Sequence, residues 1–321
     1  MPEPERDFTP LQTRLFPKHQ GSDAYQLTGL AAKAGWVLLS DHTPPQALLR
    51  DNRAAGGDPR VIFLSMRNGF AALRHFAQKV LPDLTRPFVL VSGSEDMTLP
   101  RQIDQRWRSF DGYEQDLIAQ IAGHALLRRW FVENLDSTQY PVMTPLPLGL
   151  VFPESPEKPA LTWPKTPKMA DRALRVLVAH RRREGPQWQP RHDSLALAKG
   201  PWASFCTVIE QEISEAEYHA QIAQHAFVLC VEGGGLDPSP KAWDSLIHGA
   251  IPIIRQSPTA SAYHRLPVAL VPDWQDTALS QAKLAFWHEQ LQGRFDHPSA
   301  RETVKRQLGL EHWWAEILAA L

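Results

Sequence analysis

Phe227-Val-Leu-Cys-Val-Glu-Gly-Gly-Gly-Leu-Asp-Pro-Ser-Pro-Lys-Ala-Trp-Asp-Ser-Leu-Ile-His-Gly-Ala-Ile-Pro-Ile-Ile254 decides how this chain folds. Phe227 to Val231 is an unbroken apolar run, the pattern of a strand covered on both faces of a parallel sheet. Gly233, Gly234 and Gly235 follow, where the backbone can approach a ligand closely or take a positive φ. Ser239 suits an N-cap, Pro240 the first helical position, and Gly249 the position just past the end. A helix starting there aims its free N–H groups and positive dipole end at the mouth of the glycine loop, the physical arrangement that holds a phosphate or pyrophosphate. Lys241 in the first turn can add a cation, and Asp244 can accept hydrogen bonds from ribose hydroxyls. Glu232, at the strand end, can line the same pocket. The second apolar run, Ile251–Ile254, closes a strand–helix–strand unit.

Outward from this unit, strand and helix signals alternate through most of the chain, which predicts α/β architecture. Upstream, strands are expected at Trp36–Ser40, Val61–Ser65, Phe88–Val91, Arg129–Val132 and Val142–Leu150, with helices over Ala71–Val80 and Tyr113–Leu127. Residues 153–170 carry Pro153, Pro156, Pro159, Pro164 and Pro167 in a polar stretch, the composition of an extended linker. A second series begins with Leu174–Ala179 and runs through Phe205–Ile209, Phe227–Val231, Ile251–Ile254 and Val268–Val271. Ser214-Glu-Ala-Glu217 is a capping box for a helix within it, and 302–321 reads as amphipathic helix. A chain of 321 residues exceeds what one core ordinarily supports. The expected division is therefore a domain over 1–152, a linker over 153–170 and a domain over 171–321.

The pattern of apolar strand, glycine loop, Leu236-Asp237, a basic residue, Trp243-acid-x-Leu246 and Gly249-x-Ile-Pro-Ile253 resembles the exostosin-like glycosyltransferases. The likeness continues through Ser257-Pro258, Leu266-Pro267-Val268 and Asp273-Trp274. Upstream, Trp130-Phe-Val-Glu-Asn134 and Pro145-Leu-Pro-Leu-Gly149 are similar to segments of bacterial relatives. The chain departs from the pattern at Val231-Glu232, where the family often has Pro-Arg, and at Ser-Pro-Lys241, where it often has His-Arg with one residue fewer. The resemblance implies a GT-B fold of two Rossmann-like domains with the ligand in the cleft between them, a nucleotide-sugar donor, UDP- or GDP-linked, and a glycan or other hydroxyl acceptor. It also implies that the second domain binds the donor, the first binds the acceptor, and the C-terminal helix returns to the first domain.

In that cleft the cluster His180-Arg-Arg-Arg183 would face the donor diphosphate, with Arg181 or Arg182 as the clamp. An inverting transferase needs a group in the first domain to deprotonate the acceptor hydroxyl. Three loops leave its strands with polar residues: Ser40-Asp41-His42, Met66-Arg-Asn-Gly69 and Ser92-Gly-Ser-Glu-Asp96. Asp96 is the first choice for the base, by its similarity to a segment of bacterial relatives, and Asp41 and His42 come second. The thirteen histidines show no metal-ligand spacing, and neither Cys-x-x-Cys nor Asp-x-Asp occurs, so no metal cofactor is expected. A dinucleotide-dependent oxidoreductase is disfavoured because Pro238 stands where the third fingerprint glycine belongs. A non-catalytic nucleotide- or glycan-binding module is the alternative.

The net charge of −1 gives no electrostatic case for nucleic acid or an anionic membrane. Cys206 and Cys230 sit in apolar runs and are expected as buried free thiols. The start, Met1-Pro-Glu-Pro-Glu-Arg-Asp7, lacks the basic and apolar segments of a secretory signal, and no run approaches the length of a membrane span. These features together predict a cytoplasmic protein.

Overall fold

A computed structural model describes residues 27–42, 45–150, 163–238 and 240–321. The first unit begins with α1 (Gly29–Lys33), β1 (Ala34–His42), β2 (Pro45–Asp51) and β3 (Asp58–Ser65). It continues with α2 (Gly69–His75), whose last residue leads into a π-helical turn over Phe76–Val80, then β4 (Phe88–Gly93), α3 (Gly112–Ala122), β5 (Leu127–Val132) and β6 (Met143–Pro145). The second unit holds β7 (Ala173–Val178), α4 (Gln189–Lys199), β8 (Cys206–Val208), α5 (Glu215–Gln224), β9 (His225–Leu229), α6 (Pro240–Ile247), β10 (Ile251–Arg255) and β11 (Ala269–Val271). Four helices follow: α7 (Gln281–Leu291), α8 (Gly293–Asp296), α9 (Pro298–Leu308) and α10 (Leu310–Leu318).

The alternation of strands and helices yields a mixed α/β protein with two mainly parallel sheets. The first sheet runs β2-β1-β3-β4-β5-β6, parallel except for the hairpin partner β2. The second runs β11-β10-β9-β7-β8 and is parallel throughout. Its strand order reverses between β7 and β9, as in doubly wound sheets whose ligands lie outside the carboxyl ends of the strands at that point. In the first sheet, apart from the hairpin strand β2 at the edge, the parallel strands β1, β3, β4, β5 and β6 follow one another in sequence order.

Alternating residues of the first sheet enter two different cores. Leu38, Ile62, Leu64, Leu90, Trp130 and Val132 pack with α2 and α3 in one cluster. Val37, Leu39, Val61, Phe63, Val89, Val91 and Phe131 point the other way and join the large cluster that also holds the second sheet and Trp313 and Ile317 of α10. Lys33 of α1 reaches α10 as well, pairing with Glu311 at 2.8 Å and lying over the Trp314 ring. The C-terminal helix therefore returns to the first unit.

Several boundaries differ from the sequence reading. β2 is a strand the periodicity did not predict, an edge strand that tolerates Pro45 because it has only one partner. The strand expected over Val142–Leu150 shortens to Met143–Pro145, and that over Phe205–Ile209 to Cys206–Val208. The helix expected over Tyr113–Leu127 stops at Ala122, where Gly123 caps it. Most of the proline-rich linker, residues 153–162, lies outside the described residues, as does the Ser239 N-cap. At the other end of α6 the expectation is met in detail. Gly249 has φ +80°, and Ala250 and Gly249 donate to Ser245 O at 2.8 Å and Leu246 O at 3.3 Å, a Schellman closure. Cys206 and Cys230 are buried free thiols, each pushed up to about 12 by burial. Among the described residues no helix is long and apolar enough to cross a membrane.

Candidate functional site

The reversal between β7 and β9 places two loops side by side. The loop after β7 begins with His180, which is buried, and whose Nε2 lies 2.9 Å from Arg191 O; burial holds its imidazole down at about 4, so it is neutral at pH 7. Farther along, Trp188 is ringed by three guanidinium groups, Arg183, Arg191 and Arg106, at 4.8, 5.0 and 5.4 Å from its ring. Arg191, at the start of α4, donates to Glu232 O at 3.0 Å and Arg181 O at 3.2 Å. It thereby ties the loop after β7 to the end of the glycine loop. Arg181 is exposed, and Arg182 pairs with Glu210 at 3.2 Å.

The loop after β9 carries the glycines to the start of α6. Lys241 and Asp244 keep only part of their surface open to solvent. Burial, with help from the Arg191 charge, pulls the Lys241 ammonium down to about 8. Burial pushes the Asp244 carboxyl up to about 7, against the pull of Lys241. Both shifts act in one direction on an anion bound at this helix start. Below about pH 8 Lys241 is charged and attracts it; above about pH 7 Asp244 ionises and repels it. The affinity of an anion held there should therefore fall as pH rises from 6 to 9, with proton uptake on binding at the upper end. Calorimetry with pyrophosphate in two buffers of different ionisation heat measures both, and an affinity flat across that range would sink the pairing of these groups with an anion.

The first unit meets this loop with side chains from β4, β5 and the segments after them. Asn134 Oδ1 accepts from Leu236 N at 2.8 Å and Asp237 N at 3.1 Å, and its amide donates to Glu95 O at 3.1 Å. Asp237 accepts from Leu148 N at 3.0 Å and from the Tyr263 hydroxyl at 2.9 Å. Gln187 takes a hydrogen bond from Gln105 N at 2.8 Å and donates to Gly234 O at 2.5 Å. Thr259 Oγ1 donates to Leu135 O at 2.9 Å. The two units are thus joined by polar contacts centred on the glycine loop.

Asp96 lies in this junction. Its carboxylate accepts from Arg106 Nη2 at 2.7 Å, and Arg106 also holds the fully buried Asp104 at 2.6 Å. Burial works against the Arg106 charge, but its hydrogen bonds to Asp104 and Asp96 raise it above the ordinary arginine value. A Cβ added at Gly234 would overlap Arg106 Nη2 and Asp96 Oδ2, and one at Gly235 would overlap the Asn134 amide. Glycine is needed at both positions because first-unit side chains stand against the backbone, a close approach that the sequence reading assigned to a ligand. Ser94 and Gln102 have φ of +80° and +60°, unusual for residues with side chains. Ser94 N donates to Glu133 at 2.6 Å, and Gln102 is fixed by Thr98 N at 3.1 Å and Asp104 O at 2.9 Å. The segment bearing Asp96 and Arg106 is thereby held in one conformation.

Asp41 and His42, at the end of β1, belong to the neighbouring loop. His42 stacks on Trp107 with ring centres 4.7 Å apart, and Arg67 approaches Asp41 at 3.9 Å. His42 touches the same segment as Asp96, through the residue after Arg106. Glu232 is buried: it forms an ion pair with Arg255 and accepts from Trp274 Nε1 at 3.1 Å. Arg106, Asn134, Gln187 and Trp188 were not singled out from the sequence; only the Trp-Phe-x-x-Asn134 likeness hinted at one of them. Among the described residues no group of three or more His, Cys, Asp or Glu side chains is arranged to hold a metal ion.

No family model matches the chain, and no curated protein does. Among solved structures it is similar to sucrose-phosphate synthase from Thermosynechococcus elongatus, at 12% identity over 82% of this chain and 74% of that one, with a TM-score of 0.41. It is similar to α,α-trehalose 6-phosphate synthase from Burkholderia multivorans at 10% identity, over 84% of this chain and 71% of that one, with a TM-score of 0.38. A spinosyn rhamnosyltransferase complexed with thymidine diphosphate gives 14% identity over 80% and 71% of the two chains, with a TM-score of 0.34. Likenesses this distant carry no activity over to the chain.

Proposed function

We propose that the protein is a GT-B glycosyltransferase that moves a sugar from a nucleoside diphosphate to a hydroxyl acceptor. The observation that carries this reading is the meeting of Asp96 and Arg106 with Gly234, at the loop beside the strand-order reversal. Residues 171–321 form the donor domain and 1–152 the acceptor domain. The donor diphosphate lies against the glycine loop and the start of α6, with Lys241 beside it and Asp244 towards the ribose. Asp96 takes the acceptor O–H proton as the oxygen attacks the anomeric carbon. The bond from that carbon to the diphosphate oxygen breaks, and its electron pair leaves with the nucleoside diphosphate. Attack opposite the leaving group inverts the anomeric centre. Charge on the leaving group is met by the helix N-terminus and cationic side chains, so turnover is proposed to need no metal ion.

The test is a melting-temperature screen against UDP, GDP, ADP, CMP and their sugars, followed by donor turnover in EDTA. A nucleotide at 100 times its dissociation constant stabilises the fold by about 2.7 kcal/mol. A shift with one nucleoside diphosphate, and turnover of its sugar that survives chelation, is the expected result. No shift with any of them would remove the donor site. Binding without turnover of any donor would favour a non-catalytic nucleotide-binding module, a reading consistent with Asp96 being held by Arg106.

A further inference from the structure

We propose that Arg106, a first-unit side chain, is a phosphate-binding residue of the donor site, and that a diphosphate takes it from Asp96. This rests on the transferase reading above. The second unit commits most of its own arginines near the glycine loop elsewhere. Arg182 is paired with Glu210, Arg183 lies over Trp188, and Arg191 is spent on the carbonyls of Glu232 and Arg181. Lys241 keeps its charge at neutral pH but loses it above about pH 8, since burial lowers it to about 8. Arg191 also stands against the loop, at Gly233, but Arg106 is the first-unit guanidinium packed against it, at Gly234, and its side chain is 32% exposed.

Its partners differ in a way that suits exchange. Asp104 is wholly buried and receives Arg106 Nε at 3.0 Å, Nη2 at 2.6 Å and the Arg106 backbone N–H at 3.0 Å, an anchor that fixes the fork. Asp96 is 32% exposed and receives Nη2 alone, at 2.7 Å. A phosphate arriving at Gly234 offers more negative charge than one carboxylate and can take two parallel N–H bonds. It therefore displaces the exposed, singly bonded Asp96 and leaves the Asp104 anchor in place. The displaced carboxylate is freed only when donor is bound. A loaded site thereby acquires its base, and an empty one keeps it tied down.

The probes are UDP and inorganic pyrophosphate, titrated calorimetrically at fixed ionic strength. Arg106→Ala is avoided, because it would strip the buried Asp104 of its guanidinium. Arg106→Lys keeps a charge but loses the fork, and should weaken UDP binding about tenfold. Asp96→Asn removes the competitor and should tighten UDP and pyrophosphate binding about threefold or more. In the Arg106→Lys background the same Asp96→Asn change should give no tightening. Equal tightening in both backgrounds would show simple removal of a negative charge and overturn the exchange. Wild-type UDP affinity in Arg106→Lys would remove Arg106 from the site while leaving the donor site standing. A wild-type protein that binds none of UDP, GDP, ADP or pyrophosphate fails at the level of the transferase reading itself.

Discussion

Asp96→Asn should lower the rate of sugar transfer by a factor of about 10²–10⁴, or roughly 3–5 kcal/mol of barrier, because a carboxamide cannot take the acceptor proton. The substitution is close to isosteric, and Asp96 is partly exposed with one side-chain partner, so the fold should tolerate it. Steady-state rates with saturating donor measure the loss, and a melting curve checks that the variant is folded. Normal transfer by Asp96→Asn, with Asp41→Asn or His42→Ala inactive, would move the base to the end of β1, where His42 stacks on Trp107. Activity in all three variants would show that none of these first-unit carboxylates and imidazoles is the base.

Trp243→Ala should cost about 3–5 kcal/mol of folding stability, the range for deleting a fully buried large aromatic side chain. Trp243 is completely buried on α6, with its ring edge-on to Tyr263 at 5.7 Å and its indole N–H donating to Leu308 O at 3.1 Å. It fixes the helix whose start is proposed to hold the donor, so nucleotide binding should fall with stability. Trp243→Phe keeps most of the packing and loses one hydrogen bond, and should cost about 1 kcal/mol beyond the lost ring volume. Chemical denaturation resolves the two variants. A Trp243→Ala midpoint equal to wild type would show that α6 is held by other contacts, such as Arg301 to Leu246 O and Ile247 O, both at 2.6 Å.

Most strands were legible because each is an apolar run with local punctuation. Phe227–Val231, bounded by Glu232 and the glycines, lies two residues beyond the observed β9, and Pro240 and Gly249 bracket α6. β2 escaped because Pro44 and Pro45 argue against a strand in the middle of a sheet, and only topology puts this one at an edge. The site was legible in part. Asp96 and the glycine loop were each visible from their own loops, but their contact depends on how two units meet. Glu232 looked available from the sequence, but Arg255 on the next strand, β10, forms an ion pair with it. Arg106 carries no local signature at all: it is one arginine in a polar loop, and only its place against Gly234 distinguishes it.

The split loyalties of the first sheet have a bearing on how the chain is made. Synthesis releases β1 through β6 long before α10, which starts at Leu310, yet Val37, Phe63, Val91 and Phe131 share their core with Trp313 and Ile317. Until the second unit and that helix leave the ribosome, the core on this face lacks part of its packing, and apolar surface left open in this way is prone to aggregate. Growth of the polypeptide and completion of its first core are therefore out of step, and a nascent chain halted in the middle would be sticky rather than half-finished.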